Sequence, residues 1–321
     1  MFKTFRAFTL RPSSFVWMLG MLFVLSVPLS SVQAGPITVP NHSFESPTTF
    51  FVTLNLDGWQ RTPEPTWWNT NTSGGWDTLI GFFKNTAPGA FDHIDNCHGN
   101  QAMWLFAQPE AGLFQDYDSM DWNDAAPTHA FDARFEVGKS YQMTVGLLVG
   151  GMGSGGGVQP GATVDFSLYY RDAASNRVTV ATTTITNSPL VFSNSTHLLD
   201  FSVAVPTVHA GDAWAGQQIG ILLLSTVTTN LVGGYWDLDN IRLTSTLAPT
   251  LLNPTRTSNE FQFTVHSEPG MILEILATTN ATLPALNWTS LGTLTNTTGT
   301  IPFIDTSANF DQRFYQARQL P

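Results

Sequence analysis

The sequence predicts an all-β protein, a jelly-roll β-sandwich followed by a small second β-sandwich. Three observations predict it. Several segments alternate apolar and polar residues or are rich in β-branched and aromatic types. Clusters of Gly, Asp, Asn and Ser separate them, and no stretch sustains a helical apolar period. In order, the strand candidates are "SYQMTVGLLV" (140–149), "ATVDFSLYY" (162–170), "RVTVATTTIT" (177–186), "HLLDFSVAV" (197–205) and "QIGILLLST" (218–226). Their spacing suits a two-sheet sandwich. "GGMGSGGGVQPG" (150–161) reads as a long hairpin connection or a lid beside a binding face. It lacks the lysine and helix of a phosphate loop, which excludes nucleotide binding of that kind.

The chain opens on a segment that does not belong to the fold. Residues 1–14 carry Lys3, Arg6 and Arg11 and no acid, residues 15–27 are apolar, and "SVQA" ends at Ala34. This is the pattern of a secretory signal peptide (1–34), too short to span a bilayer. The mature protein is therefore expected outside the cytoplasm, secreted, on the cell surface or in the periplasm, with no membrane span. The whole chain carries a net charge of −11, and removal of the three leader cations leaves −14. Such a surface disfavours nucleic acid and suits divalent cations and neutral ligands. One cysteine, Cys97, permits no internal disulfide. Its neighbours Asp92, His93, Asp95 and His98 match no zinc spacing.

The first domain is expected over 35–246. "LAPTLLNPT" marks a proline-containing linker (247–256), and further short strands fill a small β-domain (257–321). No catalytic constellation falls in that second domain.

"GGYWDLDNIRLTS" (233–245) poses a physical problem. As a regular strand it places Asp237, Asp239, Ile241 and Leu243 on one face. Near the other end of the domain, "VPNHSFESP" (39–47) offers Asn41, Ser43 and Glu45. If first and last strands lie side by side, Glu45 meets Asp237 or Asp239, and clustered carboxylates repel and pay desolvation. A hard cation with oxygen ligands, Ca2+, would resolve this.

These residues resemble a known group. "NHSFE" and "DLDNIRL" look like the paired signatures of calcium-containing jelly-roll carbohydrate-binding modules. They are still more similar to the Stig cyclases of hapalindole-type alkaloid biosynthesis. "LDGWQRT" (56–62), "HGNQAMWLF" (98–106), "GLFQDY" (112–117) and "FEVGKSYQMTV" (135–145) follow the same order. The resemblance spans about residues 37–245 and implies a galactose-binding-like jelly roll. It also implies a structural calcium held by Glu45 and Asp239, with backbone carbonyls near Asn41 or Lys139 as helpers. In the cyclases an aspartate near the end of the last strand acts as general acid, and Asp237 or Asp239 is the position that matches. The other reading of Asp237 is a second calcium ligand or a surface acid. Residues 260–318 resemble small C-terminal modules of exported Verrucomicrobia-like proteins, of spacer or unknown role.

Tryptophan is used heavily, above all in "PEPTWWNTNTSGGW" (63–76). In a strand Trp67 and Trp68 would face opposite ways, one to the core and one to a ligand. In "QAMWLFAQ" Trp104 and Gln108 share a face and could line a concave surface. Exposed indoles grip sugar rings, with amides nearby for hydroxyls. Trp67, Trp68, Trp76, Trp104 and Gln108 are the expected ligand-binding set. Asp116/Asp118 and Asp121/Asp124 are weak candidates for a glycosidase pair, and no nucleophile elbow is present. The preferred reading is an exported, calcium-stabilised jelly-roll protein that binds a ligand, most readily carbohydrate, on an aromatic concave face. One alternative is a Stig-cyclase-like enzyme acting on a small hydrophobic ligand through Asp237. Another is a structural surface protein without a small-molecule ligand.

Overall fold

The computed structural model describes residues 35–150, 157–193, 196–257, 260–307 and 310–320. The expected leader (1–34) and the centre of the glycine-rich loop (151–156) lie outside the described residues. The chain forms two units, Gly35–Ser245 and a second that starts at Thr246.

Twelve described strands run through or into the first unit. They are β1 (Gly35–Ile37), β2 (Val52–Thr53), β3 (Gln60–Arg61), β4 (Ile80–Lys84), β5 (Gln101–Phe106) and β6 (Gly112–Gln115). Then come β7 (Lys139–Gly150), β8 (Thr163–Arg171), β9 (Arg177–Thr186), β10 (Leu199–Val205), β11 (Gly220–Ser225) and β12 (Tyr235–Leu247). A seven-stranded sheet has the order β10-β7-β12-β5-β4-β2, with β1 also on β12, and a five-stranded sheet has the order β3-β6-β11-β8-β9. The printed pairings are antiparallel. The sandwich forms because alternate residues of each strand are apolar. Met143, Val145 and Leu147 of β7, Met103 and Leu105 of β5, and Phe166, Leu168, Ile221 and Leu223 of β8 and β11 meet in one core. First and last strands are neighbours, since Ile37 pairs with Leu243.

The last strand is not regular. Trp236 and Leu238 enter the core, and so do Ile241 and Leu243. The change from even to odd positions occurs at Asn240, which adopts a left-handed conformation (φ 54°). Asn is one of the few residues that tolerates this region. The result is a β-bulge-like step, placed where the partner of β12 changes. β5 pairs with Tyr235 to Leu238 and β1 with Leu243 to Ser245, and between them the Ile241 N–H donates to the His42 carbonyl (2.9 Å). The expected common face for Asp237, Asp239, Ile241 and Leu243 is therefore corrected. The two acids point out of the sandwich and the two aliphatics point in.

The second unit has two three-stranded sheets, β13-β14-β17 and β16-β15-β18. Its strands are β13 (Thr250–Arg256), β14 (Phe261–His266), β15 (Met271–Thr278), β16 (Thr289–Asn296), β17 (Thr300–Asp305) and β18 (Phe314–Gln319). Phe263, Val265, Leu273, Ile275 and Tyr315 share its core. The residues expected as a linker include β13, which pairs with β14 on one side only and slips register between Leu252 and Thr255. An edge strand with a bulge is where a proline such as Pro254 is tolerated, so proline there was a poor sign of a linker. Buried Asp305 accepts from the Tyr315 hydroxyl (2.7 Å) and pairs with Arg313 (2.7 Å). Among the described residues no helix is long and apolar enough to cross a membrane.

Candidate functional site

Once the bulge turns β12 over, its acids share the outer face of the seven-stranded sheet with the outward residues of β5. Asp237 pairs in register with Trp104, and Tyr235 with Phe106. The Phe106 and Tyr235 rings meet edge to face, 5.1 Å apart. Two glycines make room on this face. The Trp104 ring occupies the space a Cβ on Gly81 would need, and the Asp237 carboxyl occupies that of Gly150 at the end of β7. Ala102, Leu148 and Leu198 continue the face, covered by Ile94 from the loop before β5.

The two acids have different surroundings. Asp239 is fully buried and well satisfied. It accepts from the His98 N–H (2.5 Å) and the Asn240 N–H (2.6 Å). Burial still outweighs those bonds, raising its pKa to about 7, and the negative charge of Glu45 adds to the rise. Asp237 is half-buried and accepts no hydrogen bond from any described residue. Burial, with the charge of Asp92 behind it, raises its pKa to about 8. A carboxyl with its pKa raised this far holds its proton at a pH where an ordinary aspartate has lost it.

Glu45 reaches the same loop from the other side. Its Oε1 accepts from the Asn100 and Gln101 N–H groups, both at 2.7 Å. The carboxylates of Glu45 and Asp239 thus flank one turn, residues 97–101, and backbone N–H groups do part of the work assigned to a cation. Among the described residues no three His, Cys, Asp or Glu side chains gather as a metal group. Further ligands would have to be carbonyl or water oxygens, which Ca2+ accepts. Asn41 is otherwise engaged. Its side chain donates to the Ser46 (2.6 Å) and Asp57 (2.8 Å) carbonyls, and its own carbonyl accepts from Phe44 N–H and Trp59 Nε1. Lys139 begins β7, whereas Gly146 of that strand lies beside Asp239. The Lys139 carbonyl accepts instead from Val208 N–H. Cys97 donates to the Gln101 carbonyl (3.1 Å), and burial raises its pKa.

The aromatic set divides. A cleft of about 570 Å³ is walled by Trp67, Trp68, Leu79, Phe106 and Tyr235, with Asn69, Thr72, Ser73, Thr78 and Gln108 as its polar lining. Trp67 and Trp68 do not lie in a strand. They precede a one-turn helix, α1 (Thr70–Ser73), so their rings do not alternate. Both pack edge to face on Trp76, at 6.2 and 5.1 Å. Trp76 is buried, with its indole N–H on the Thr62 carbonyl (2.8 Å), and it backs the cleft instead of lining it. Trp67 remains 49% exposed, tethered by its N–H to Glu110 (2.9 Å). Gln108 lines the cleft. Trp104 does not, but it stands one outward position along β5 from Phe106. Phe106 and Tyr235 thus join the cleft to Asp237.

The relation of Asp92, Phe106, Tyr235 and Gly150 to Asp237 was not legible in the sequence, because it depends on the register of β5, β7 and β12. Of the acidic pairs, Asp116 is engaged in the structure. Asp116 is buried against the Tyr169 hydroxyl (2.6 Å) and Arg171 (2.7 Å) and holds a structural ion pair.

The model of the family described as HpiC1 cyclase, HpiC1-like, matches residues 35–244. The chain belongs to the HpiC1-like family. No curated protein matches it. Among solved structures, a cyclase from Fischerella sp. TAU is 21% identical, aligned over 68% of this chain and 100% of its own, with a TM-score of 0.48. The Stig cyclase Fisc from the same source, in complex with (3Z)-3-(1-methyl-2-pyrrolidinylidene)-3H-indole, is 21% identical over 66% and 98%, TM-score 0.46. A carbohydrate-binding module specific for non-crystalline cellulose is 12% identical over 50% and 86%, TM-score 0.31.

Proposed function

We propose that the protein binds a small apolar, unsaturated molecule in the aromatic cleft and isomerises or cyclises it by proton transfer from Asp237. The observation that carries this reading is the unpartnered Asp237 carboxyl in register with Trp104, on the face that Phe106 and Tyr235 continue into the cleft. The carboxyl proton passes to an alkene carbon and leaves a carbocation, which the faces of Trp104 and Phe106 shelter. An internal nucleophilic carbon closes on that cation, or no ring closes. Loss of a proton to the Asp237 carboxylate then restores the acid, so the net change is an isomerisation. Family membership supports the reading, and an alkenyl-indole is the substrate class to try. The test is turnover of such a compound in D2O. Deuterium should enter the product at one carbon, and Asp237→Asn should abolish it. Equal incorporation by the variant would overturn the proposal.

A second reading is favoured by the exposed face of Trp67 above a lining of hydroxyls and amides: the cleft holds a carbohydrate. Retention of the protein on immobilised polysaccharides that falls in Trp67→Ala, and is kept in Asp237→Asn, would establish this role in place of the first. We also propose a structural Ca2+ at the turn flanked by Glu45 and Asp239, in a protein that is exported. The oxygen-rich chemistry there supports it.

A further inference from the structure

Beside the turn flanked by Glu45 and Asp239 lies a pair of imidazoles that neither reading uses. His42 belongs to the loop after β1, and His98 to the turn before β5. Their ring centres are 5.2 Å apart and the planes are inclined at 47°, so they are not stacked. Burial and the neighbouring His98 lower the His42 pKa. The His98 side chain is exposed, and its ring nitrogens bond no described residue.

We propose that His42 and His98 bind a borderline divalent transition metal, Zn2+ or Cu2+, and thereby clamp the first loop to the turn before β5. Metal–nitrogen bonds of about 2.0–2.1 Å put two imidazoles on one tetrahedral ion with ring centres roughly 5 Å apart, which is the spacing found here. Two carboxylates, Glu45 and Asp239, flank the same turn and favour a cation there. The Cys97 thiol is already engaged, donating to the Gln101 carbonyl. With two protein ligands and the rest water, the site is of modest affinity and exchangeable. It is chemically distinct from a calcium site, because nitrogen donors select against Ca2+.

The test is calorimetric titration of the untagged protein with Zn2+, with and without saturating Ca2+. A single Zn2+ should bind at micromolar concentrations, undiminished by Ca2+. His98→Ala, an exposed change that leaves the fold intact, should weaken binding by at least about tenfold. His42→Ala should do the same, whereas Glu45→Gln should retain the ion. Absence of zinc binding, or affinity unchanged in His98→Ala, would overturn the proposal. Loss in Glu45→Gln with retention in His98→Ala would overturn it too, and would assign the ion to the carboxylates. Failure of Ca2+ to bind would leave the zinc result standing on its own.

Discussion

Burial has moved a few residues of this protein from their ordinary chemistry. Asp237 is the clearest. Its folded pKa, about 8, lies above that of an unfolded aspartate. Between those two values the folded state holds a proton that the unfolded state has released, so stability falls as pH rises from about 4 to 8. Asp237→Asn, which cannot ionise, should flatten that fall. The check is the melting temperature of both proteins across the range, and parallel profiles would mean that Asp237 is not held neutral. Gly150 is the companion residue, since its missing side chain is the space the carboxyl fills. Gly150→Ala should displace the acid and cost about 1–3 kcal/mol in a denaturant titration, as overpacking does. The acids themselves were legible from the sequence. Their difference was not, because one N–H donor of Asp239, that of His98, comes from a turn 141 residues away in the chain.

At the scale of the element, β12 does two jobs because of one residue. Asn240 adopts a backbone region that costs a β-branched residue about 1–2 kcal/mol. Asn240→Val should therefore lower stability by about that amount in urea unfolding, while Asn240→Gly should change it little. If valine is tolerated as well as glycine, the left-handed residue does not hold the turn-over of the strand. The sequence made β7, β8 and β9 readable nearly to the residue, because alternation on a two-sided sandwich leaves one solution for each strand. It hid the bulge, since nothing in "DLDNIRL" distinguishes an Asn in a strand from an Asn at its kink. It also misplaced Trp67 and Trp68, whose neighbours Pro63 and Pro65 make a turn instead of a strand.

Across the whole first unit, the loop that follows β1, the turn before β5 and the last strand meet around Glu45, His98 and Asp239. A cation seated there would join the two ends of the domain. Ca2+ at about 100 times its dissociation constant should add about 2.7 kcal/mol, or roughly 5–10 °C in melting temperature. Chelation, Glu45→Ala or Asp239→Ala should remove that increment, and a melting temperature indifferent to all three would exclude a structural calcium. The overall plan, two β units in succession, was legible because composition and alternation act over many residues at once. The first unit ends at Ser245, beside the expected limit at 246. Strand β13 within the expected linker was not legible, because an edge strand containing proline has the composition of a linker. The turned-over strand also bears on how such sites can be compared or transplanted. Asp237 and Ile241 are four positions apart, an even spacing that in an unbroken strand would mean a shared side. Here they lie on opposite sides. A strand with the same spacing but a regular conformation at residue 240 would direct its carboxyl into the hydrocarbon interior. The backbone conformation between acid and aliphatic, more than the presence of the acid, therefore decides to which side the carboxyl points. Anyone grafting this stretch onto another sandwich must carry the left-handed residue with it.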